Sequence, residues 1–431
     1  MDSIWKQVKL PTFPVMDKDL STHVLIIGGG MAGLLCAWKL QQEHIPYVLV
    51  EAKVPFSGVS GCTTAKITSQ HGLIYSTLYE KAGPDVARLY LEANENALQG
   101  YRNLCREIPC DFVSRASYVY SLDDRAALHK ECQILQELGY PAAFQDSLPL
   151  PFSVAGAVKF PGQAQFHPLK FAAAISKDLN IYQDTKVQHL LPDGAETNRG
   201  RIRADKIIVT THFPICNKHG MYFLKQYQQR SYVLALKNAP QFDGMYVDAA
   251  ENGLSFRNYG ELLLLGGGGH RTGKPGGTWE ELRAFARQHF PEAEEVAHWA
   301  TQDCIPLDHL PYIGRYSRFT PNLYVATGFQ KWGMTTSMVA ANILKDLVQG
   351  KENPYAKIFS PSRNMLHLQL GANILESAKN LLTPTPKRCP HLGCALKWNP
   401  AEHTWDCPCH GSRFSDTGEL LDGPATDDLS K

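Results

Sequence analysis

The sequence predicts an α/β fold: a domain with a parallel sheet, interrupted by an inserted α+β domain and followed by a small C-terminal β module. Three observations lead to this prediction. Residues 23–51 have the pattern of a strand, a helix and a strand around a run of glycines. Further apolar strands are predicted at 203–210, 231–236 and 322–327, with mixed segments between them. Four of the eleven cysteines fall between positions 389 and 409.

Composition narrows the function classes before any motif is considered. A chain of 431 residues suggests two or three domains, and 44% hydrophobic with 20% charged residues is an ordinary globular balance. Lys+Arg is 43 and Asp+Glu is 42, so no global positive field attracts nucleic acid. The most apolar stretch, 24–40, is interrupted by glycines, and the N-terminus has no signal-peptide pattern. We therefore expect a cytoplasmic protein without a membrane span or a nucleic-acid partner.

The first unit carries a dinucleotide fingerprint. Gly28, Gly30 and Gly33 follow a strand and open a helix, and Glu51 ends the next strand. The first glycine permits the tight turn, the second lets backbone approach a pyrophosphate, and the third lets helix and strand pack closely. The helix N-terminus favours phosphate, and Glu51 can accept hydrogen bonds from a ribose diol. The sequence thus predicts dinucleotide binding, although NAD and FAD enzymes share this pattern.

Two further segments favour a flavin. Residues 57–72 are rich in glycine and hydroxyl side chains, and residues 326–337 combine a strand end, a glycine turn and a helix start. A second helix N-terminus of this kind could stabilise the negative charge of a reduced flavin.

Five motifs resemble the FAD-dependent oxidoreductases of the D-amino-acid-oxidase and glycine-oxidase superfamily. They are VLIIGGGMAG, VLVEA, TTAKITSQHG, LPYIG and ATGFQKWGMTTS, and the resemblance covers most of residues 20–350. It implies a Rossmann-like FAD-binding domain with an inserted α+β substrate domain, the flavin lying between them. Besides the fingerprint residues, the cofactor contacts it implies are Thr63, Thr64, Val187, Thr210, Gly328, Gly333, Met334 and Thr335.

The domain boundaries follow from these motifs. We assign 1–375 to the oxidoreductase, 376–388 to a linker and 389–431 to the C-terminal module. Within the first region, the FAD-binding parts are predicted at about 20–75, 156–215 and 305–350, and the substrate domain at about 76–155 and 216–304.

The C-terminal module contains two metal-binding arms. Cys389-x-His391 and Cys407-x-x-His410 supply two thiolates and two imidazoles, a set that could bind zinc tetrahedrally. Each arm also carries an extra cysteine, Cys394 or Cys409, and a glycine. The arms resemble the two cluster-binding loops of Rieske [2Fe-2S] proteins.

That resemblance implies a ligand set. Cys389 and Cys407 would hold one iron and His391 and His410 the other. Cys394 and Cys409 match the pair that forms a disulfide between the loops, and Ser412 matches a hydroxyl that bonds a bridging sulfide. Strands normally precede the first loop in that family, whereas here a helix and the TPTPKR segment precede Cys389. The module is therefore expected to be a truncated Rieske domain.

Four residues are candidates for catalysis. Lys66 and His71 lie in the segment expected near the flavin, where a cation could promote electron transfer or hold a substrate anion. The alternative is a solvated lysine and a core histidine. His270 and Arg271 follow a run of glycines at a strand end, and Arg271 could bind a carboxylate. The alternative there is a loose strand exit.

Together these features predict an oxidoreductase in which FAD oxidises the C–N bond of an amine or amino acid and the reduced flavin passes electrons to the cluster. A one-electron acceptor or donor protein is a possible partner. In one alternative the cluster feeds electrons to the flavin, and in another the chain is a non-catalytic redox sensor.

Overall fold

The computed structural model describes residues 3–216, 219–364 and 368–429. Its helices are α1 Met31–Gln42, α2 Ile74–Ala82, α3 Pro84–Cys105, α4 Arg125–Glu137, α5 Pro168–Ile175, α6 Tyr222–Lys225, α7 Trp279–His289, α8 Gly333–Val348 and α9 Leu368–Leu382. Within the described ranges, none of these helices has the length and apolar character needed to cross a membrane.

The first sheet forms the predicted nucleotide-binding unit. Its strands are β1 Leu20–Ile27, β2 Tyr47–Val50, β7 Ile181–Tyr182, β8 Val187–Leu191, β9 Gly194–Thr197, β10 Gly200–Val209, β16 Tyr312–Arg315 and β17 Leu323–Thr327. The order β16-β17-β10-β1-β2-β7 is parallel except for β16 at the edge. Residues Val24–Ile27 of β1 and all of β2 are apolar and buried. Helices α1 and α8 pack against each other nearby. Helices on the faces of a parallel sheet account for these continuous apolar runs.

The second sheet forms most of the inserted region. Its strands are β3 Lys66–Ile67, β4 Val113–Ser121, β5 Ala143–Gln145, β6 Gly156–Gln165, β11 Gln226–Lys237, β12 Met245–Asp248, β13 Ser255–Tyr259, β14 Leu262–Arg271 and β15 Glu294–Pro306. They follow the order β15-β11-β14-β13-β12-β4-β6-β3, with β5 on β6.

The second sheet differs from the predicted boundaries in two ways. Residues 156–165, assigned to an FAD-binding part, form β6 and pair with β4 in this sheet instead. The strand predicted at 231–236 begins at Gln226, because its polar first half pairs with β15 throughout. The prediction rested on apolar residues, so it did not include this polar half of the strand.

The C-terminal module is a four-stranded antiparallel sheet, β18 Lys397–Asn399, β19 Thr404–Asp406, β20 Arg413–Ser415 and β21 Leu420–Asp422. All four strands follow the first metal-binding arm, which fits the predicted truncation. Residues 376–382, assigned to the linker, form the second half of α9. The end of α9 contacts the first arm, since the Ala395 amide donates to the Asn380 carbonyl at 3.0 Å. This helix supports the arm where strands would precede it in a longer domain.

Candidate functional site

A cavity of about 1010 Å³ is lined by both large sheets and by the C-terminal module. It includes most of the predicted cofactor and catalytic positions, namely Gly28, Gly30, Glu51, Thr63, Thr64, Lys66, His71, Val187, Thr210, Gly328, Gly333 and Met334. Residues 420–426 of the C-terminal module line the same cavity. Two predicted cofactor positions, Gly33 and Thr335, and the two predicted catalytic positions His270 and Arg271 do not line it.

The nucleotide end of the cavity requires glycine at two points. Gly28 has φ +110°, and a Cβ there would lie 2.8 Å from the Thr210 carbonyl oxygen. A Cβ on Gly33 would lie 2.0 Å from the Gly28 oxygen, so Gly33 allows α1 to pack on the strand turn. A Cβ on Gly30, which lies on the cavity wall, would make a close contact of 3.3 Å with the Ser60 hydroxyl. This backbone cradle at the start of a helix fits a pyrophosphate.

Glu51 is fixed by the turn that it faces. One carboxylate oxygen accepts from the Gly29 amide at 2.7 Å and the other from the Lys53 amide at 2.9 Å. Both bonds hold the carboxylate at the cavity wall, where it would meet the ribose of a dinucleotide.

The opposite end of the cavity contains Lys66 and His71. The imidazole of His71 lies 2.7 Å from the Tyr90 hydroxyl and 2.8 Å from the Thr68 carbonyl, and it stacks on Trp332. Burial lowers the pKa of His71 to about 3, so the ring is neutral. Burial, together with the charge of Arg257, lowers the pKa of Lys66 to about 7. Lys66 can therefore change charge near neutral pH, whereas His71 is a fully partnered neutral ring.

The predicted roles of His270 and Arg271 do not agree with their positions, because neither residue lines the cavity. His270 stacks on Tyr232. Arg271 donates to the carbonyls of Pro408 and Cys409, each at 3.0 Å, so its guanidinium binds the second metal arm instead of a substrate carboxylate. Strand β14 extends to Arg271, so the alternation of side chains along the strand sets the face from which His270 and Arg271 project.

Sequence reasoning missed a group of polar side chains on the cavity wall. We call Gln229 and Ser231 on β11 and Thr301 and Asp303 on β15 the polar wall. Gln229 is paired with Asp303 and Ser231 with Thr301 in the antiparallel register, and all four line the cavity. Polar residues at alternate positions of a strand were the available signal, since alternate side chains share one face.

The two metal-binding arms converge in the C-terminal module. The free thiols of Cys389 and Cys407 are buried and hydrogen-bond each other, and the rings of His391 and His410 lie 4.9 Å apart. Burial lowers the pKa of His391 to about 4 and that of His410 to about 3, which keeps both rings in the neutral form that binds metal. Among the described residues, neither ring nitrogen of His410 has a hydrogen-bond partner.

The remaining two cysteines join the arms. Cys394 and Cys409 form a disulfide. The sulfur atoms of Cys394, Cys407 and Cys409 lie within 4.8 Å of one another, but disulfide sulfurs are not thiolate ligands. The Ser412 hydroxyl contacts the Cys389 thiol and also accepts from the Ala425 amide at 2.9 Å. The donor set thus fits the predicted cluster ligands, Cys389, His391, Cys407 and His410.

The module is bonded directly to the second sheet. The Gln228 side-chain amide donates to the carbonyls of His410 and Gly423, at 2.7 and 2.9 Å. The Gln302 amide donates to the Gly411 carbonyl at 2.9 Å. These bonds fix the second arm against the face of β11 and β15 that points away from the cavity.

Buried charges reinforce this interface. Arg230 of β11 forms a two-point ion pair with Glu402, which also accepts from Arg413 at 2.8 Å. Arg413 in turn pairs with Asp406 and Asp422. Two aromatic rings complete the contact: Phe213, which lines the cavity, lies 6.4 Å from the His391 ring, and Phe223 lies 5.9 Å from the His410 ring.

Comparison with known proteins agrees with both halves of the structure. Residues 23–347 match the family model "FAD dependent oxidoreductase", and residues 372–431 match "Rieske [2Fe-2S] domain". The Bacillus subtilis Rieske 2Fe-2S iron-sulfur protein YhfW is 34% identical over 496 aligned residues, covering 100% of this chain and 97% of that protein.

Solved structures resemble the larger part of the chain. Glycine oxidase from Geobacillus kaustophilus has a TM-score of 0.67 at 21% identity, covering 80% of this chain and 99% of that one. L-proline dehydrogenase from P. horikoshii has a TM-score of 0.67 at 17% identity, covering 80% and 98%. These likenesses support the fold, and the family matches indicate FAD and a [2Fe-2S] cluster as the cofactors. The chain therefore belongs to the FAD-dependent oxidoreductase family and carries a C-terminal Rieske domain.

Proposed function

We propose that this oxidoreductase oxidises the C–N bond of a small amine or amino acid and that the electrons leave through the Rieske module. One observation carries the proposal: residues 420–426 of the module line the same cavity as the dinucleotide cradle and Lys66. This contact between the module and the cavity supports transfer of electrons from a flavin bound there to the module. Glycine oxidase and L-proline dehydrogenase, which have this fold, act by their names on amino acids, which supports a C–N substrate.

The chain's own residues have separable tasks in this proposal. Gly28, Gly30 and Glu51 would hold the diphosphate and ribose of FAD, and Cys389, His391, Cys407 and His410 would hold the cluster. Bound FAD supplies a two-electron acceptor and the cluster a one-electron carrier. Lys66, with a pKa lowered to about 7, can hold or release a proton at its Nζ beside the substrate. Removing a proton from an alkylammonium leaves the neutral amine that can be oxidised.

The direction of electron flow is tested with purified protein. Under anaerobic conditions, a panel of amines and amino acids is expected to bleach the flavin absorbance, and the Rieske EPR signal should then appear. Bleaching only by a reduced ferredoxin or by NAD(P)H would contradict the proposal and favour a reductase. If no donor reduces the flavin, a sensor role is favoured instead.

A stoichiometric titration gives an independent test. Histidine-ligated clusters lie at roughly −150 to +300 mV. We expect the cluster to be reduced before the flavin in a dithionite titration followed by EPR and absorbance. If the flavin is reduced first, the proposed direction is wrong.

A further inference from the structure

The polar wall contains hydrogen-bond acceptors that the fold itself does not use. Gln229 Oε1, Ser231 Oγ and Thr301 Oγ1 are buried and have no hydrogen-bond partner within the described part of the chain. The amide nitrogen of Gln229 is bonded to Glu251, so its oxygen is the atom left over. Leaving buried polar atoms without a hydrogen bond is costly, so three on one surface indicate a missing partner.

Asp303 adds a carboxylate to this surface. It is 9% exposed and, among the described residues, has no salt-bridge partner within 4.0 Å. An ionised carboxylate and an amide oxygen can only accept hydrogen bonds, and the two hydroxyls can also accept. A ligand that donates several hydrogen bonds would therefore satisfy all four groups at once.

The charges around the wall favour a cation. The positive charges that act on Asp303 are those of Lys331 and Arg230. Arg230 lies on the other face of the sheet, where it is paired with Glu402. The Lys331 ammonium donates to the backbone carbonyl of Glu251 at 2.8 Å. In the described parts of the chain, no arginine lines the cavity. The wall thus lacks the bidentate cation that suits a carboxylate.

The wall adjoins the segment expected beside the flavin ring. The Gln330 amide donates to the Cys304 carbonyl at 3.0 Å, and the Gln226 side chain bonds Thr327 at 3.2 Å. Both contacts tie β11 and β15 to residues 327–334, all of which line the cavity and which include the predicted flavin contacts Gly328 and Gly333.

We propose that the polar wall recognises the substrate by binding its alkylammonium group, with Asp303 as the counter-ion, so that the substrate class is a cationic amine and not a molecule held through a carboxylate. This inference rests on the proposed function for the identity of its ligand as the substrate. The binding site itself is defined by the four side chains.

The test uses a probe that cannot react. tert-Butylammonium donates three N–H bonds and has no hydrogen on the carbon next to nitrogen, so it cannot be oxidised. Pivalate has the same shape with a carboxylate. Binding to FAD-loaded protein is measured by titration calorimetry and by the flavin difference spectrum. We expect tert-butylammonium to bind at least tenfold more tightly than pivalate, and the reverse preference would overturn the proposal.

Variants locate the site. Asp303→Asn should weaken tert-butylammonium binding at least tenfold, whereas the control Asp248→Asn removes a carboxylate from the same cavity and should change binding less than twofold. Equal loss in both variants, or no loss in Asp303→Asn, would contradict the assignment. If Asp303→Asn fails to hold FAD, Thr301→Val decides, since loss of one acceptor should weaken binding several-fold and unchanged binding would contradict the proposal.

Dependence on pH gives a further readout. Burial raises the pKa of Asp303 to about 7, although the positive charges of Lys331 and Arg230 act to lower it. The carboxylate of Glu251 interacts with the same Lys331. Binding of tert-butylammonium should therefore strengthen as pH rises through about 7, and Asp303→Asn should remove this dependence. If amines do not reduce the flavin but the probe binds as described, the proposed function fails and the ammonium site stands. If amines reduce the flavin with unchanged KM in Asp303→Asn, the site fails alone.

Discussion

The two faces of the β11–β15 strand pair use polar residues in opposite ways. On the cavity side, three oxygens of the polar wall have no hydrogen-bond partner among the residues that the structure describes. On the side of the Rieske module, Gln228 and Gln302 use their amide groups fully, since Gln302 bonds Gly411, Gln228 and Thr272. The residues alternate along the same two strands, and only the face differs.

This contrast separates a binding surface from a fixed joint. Buried polar groups that are satisfied by the fold stabilise one arrangement of two parts, while unsatisfied ones lower stability until a ligand arrives. The module side is therefore a permanent interface that holds the cluster arms at one position. The cavity side is suited to a ligand that binds reversibly.

Asp303 should produce the largest change in stability on the cavity side. Burial raises its folded-state pKa from 3.8 to about 7, so the folded protein binds a proton that the unfolded chain releases. The resulting stability is present below about pH 4 and is lost as pH rises to about 7. At about 1.4 kcal/mol per unit, the loss amounts to at most about 4 kcal/mol. Urea unfolding of FAD-free protein should show this slope, and Asp303→Asn should flatten it. An identical slope in the variant would mean that Asp303 is solvated.

On the module side, Arg230→Met should be strongly destabilising. It leaves the buried Glu402 with Arg413 as its remaining ion-pair partner, and breaking a buried pair costs about 3–5 kcal/mol. Because Arg413 remains, we expect the lower end, about 3 kcal/mol, by thermal unfolding. The control is Arg283→Met, whose pairs with Glu280 and Glu295 are partly exposed and should cost less than about 1 kcal/mol. Equal costs at the two sites would show that the module is not held by its buried charges.

The sequence predicted those parts of the site whose geometry is set by residues close together in the chain. The fingerprint glycines and Glu51 lie within one βαβ unit, so the tight turn and the close packing at Gly33 follow from neighbouring residues. Within each arm the same is true, because Gly393 and Gly411 close similar turns, their amides donating to Cys389 and Cys407. Short spacing fixes these geometries, which is why the motifs were informative.

The polar wall and the position of Arg271 depend on distant parts of the chain. Gln229 meets Asp303 only through the register of an antiparallel pair, and no local pattern specifies that register. Arg271 was expected in the cavity because it follows a glycine run, but its carbonyl partners lie in the second metal arm. The spacing of neighbouring residues carries no information about a contact between domains, so the position of Arg271 could be seen only in the structure.

Gln302→Leu should have an intermediate effect. The substitution leaves the Gly411 carbonyl and the Gln228 and Thr272 side chains without their partner inside the interface. Unsatisfied groups of this kind cost about 1–3 kcal/mol, which should appear as a lower midpoint in urea unfolding. The cluster arm should also loosen, so amide hydrogen exchange around 407–411 should accelerate. Unchanged exchange there would argue that Gln302 is not part of the joint.

Thr301→Val, one residue earlier on the same strand, should have the smallest effect. Its buried hydroxyl has no hydrogen-bond partner in the described parts of the chain, so replacing it with a methyl of similar shape removes an unsatisfied group and breaks no hydrogen bond there. Such exchanges are nearly neutral or slightly stabilising, and we expect a change within about 0.5 kcal/mol in the same urea experiment. Thr301 and Gln302 are adjacent on the same strand, so their backbone context is matched and the two substitutions differ in the face that they alter. A loss at Thr301 as large as that at Gln302 would mean that its hydroxyl has a partner inside the fold, and the cavity face would then be a second structural interface instead of a binding surface.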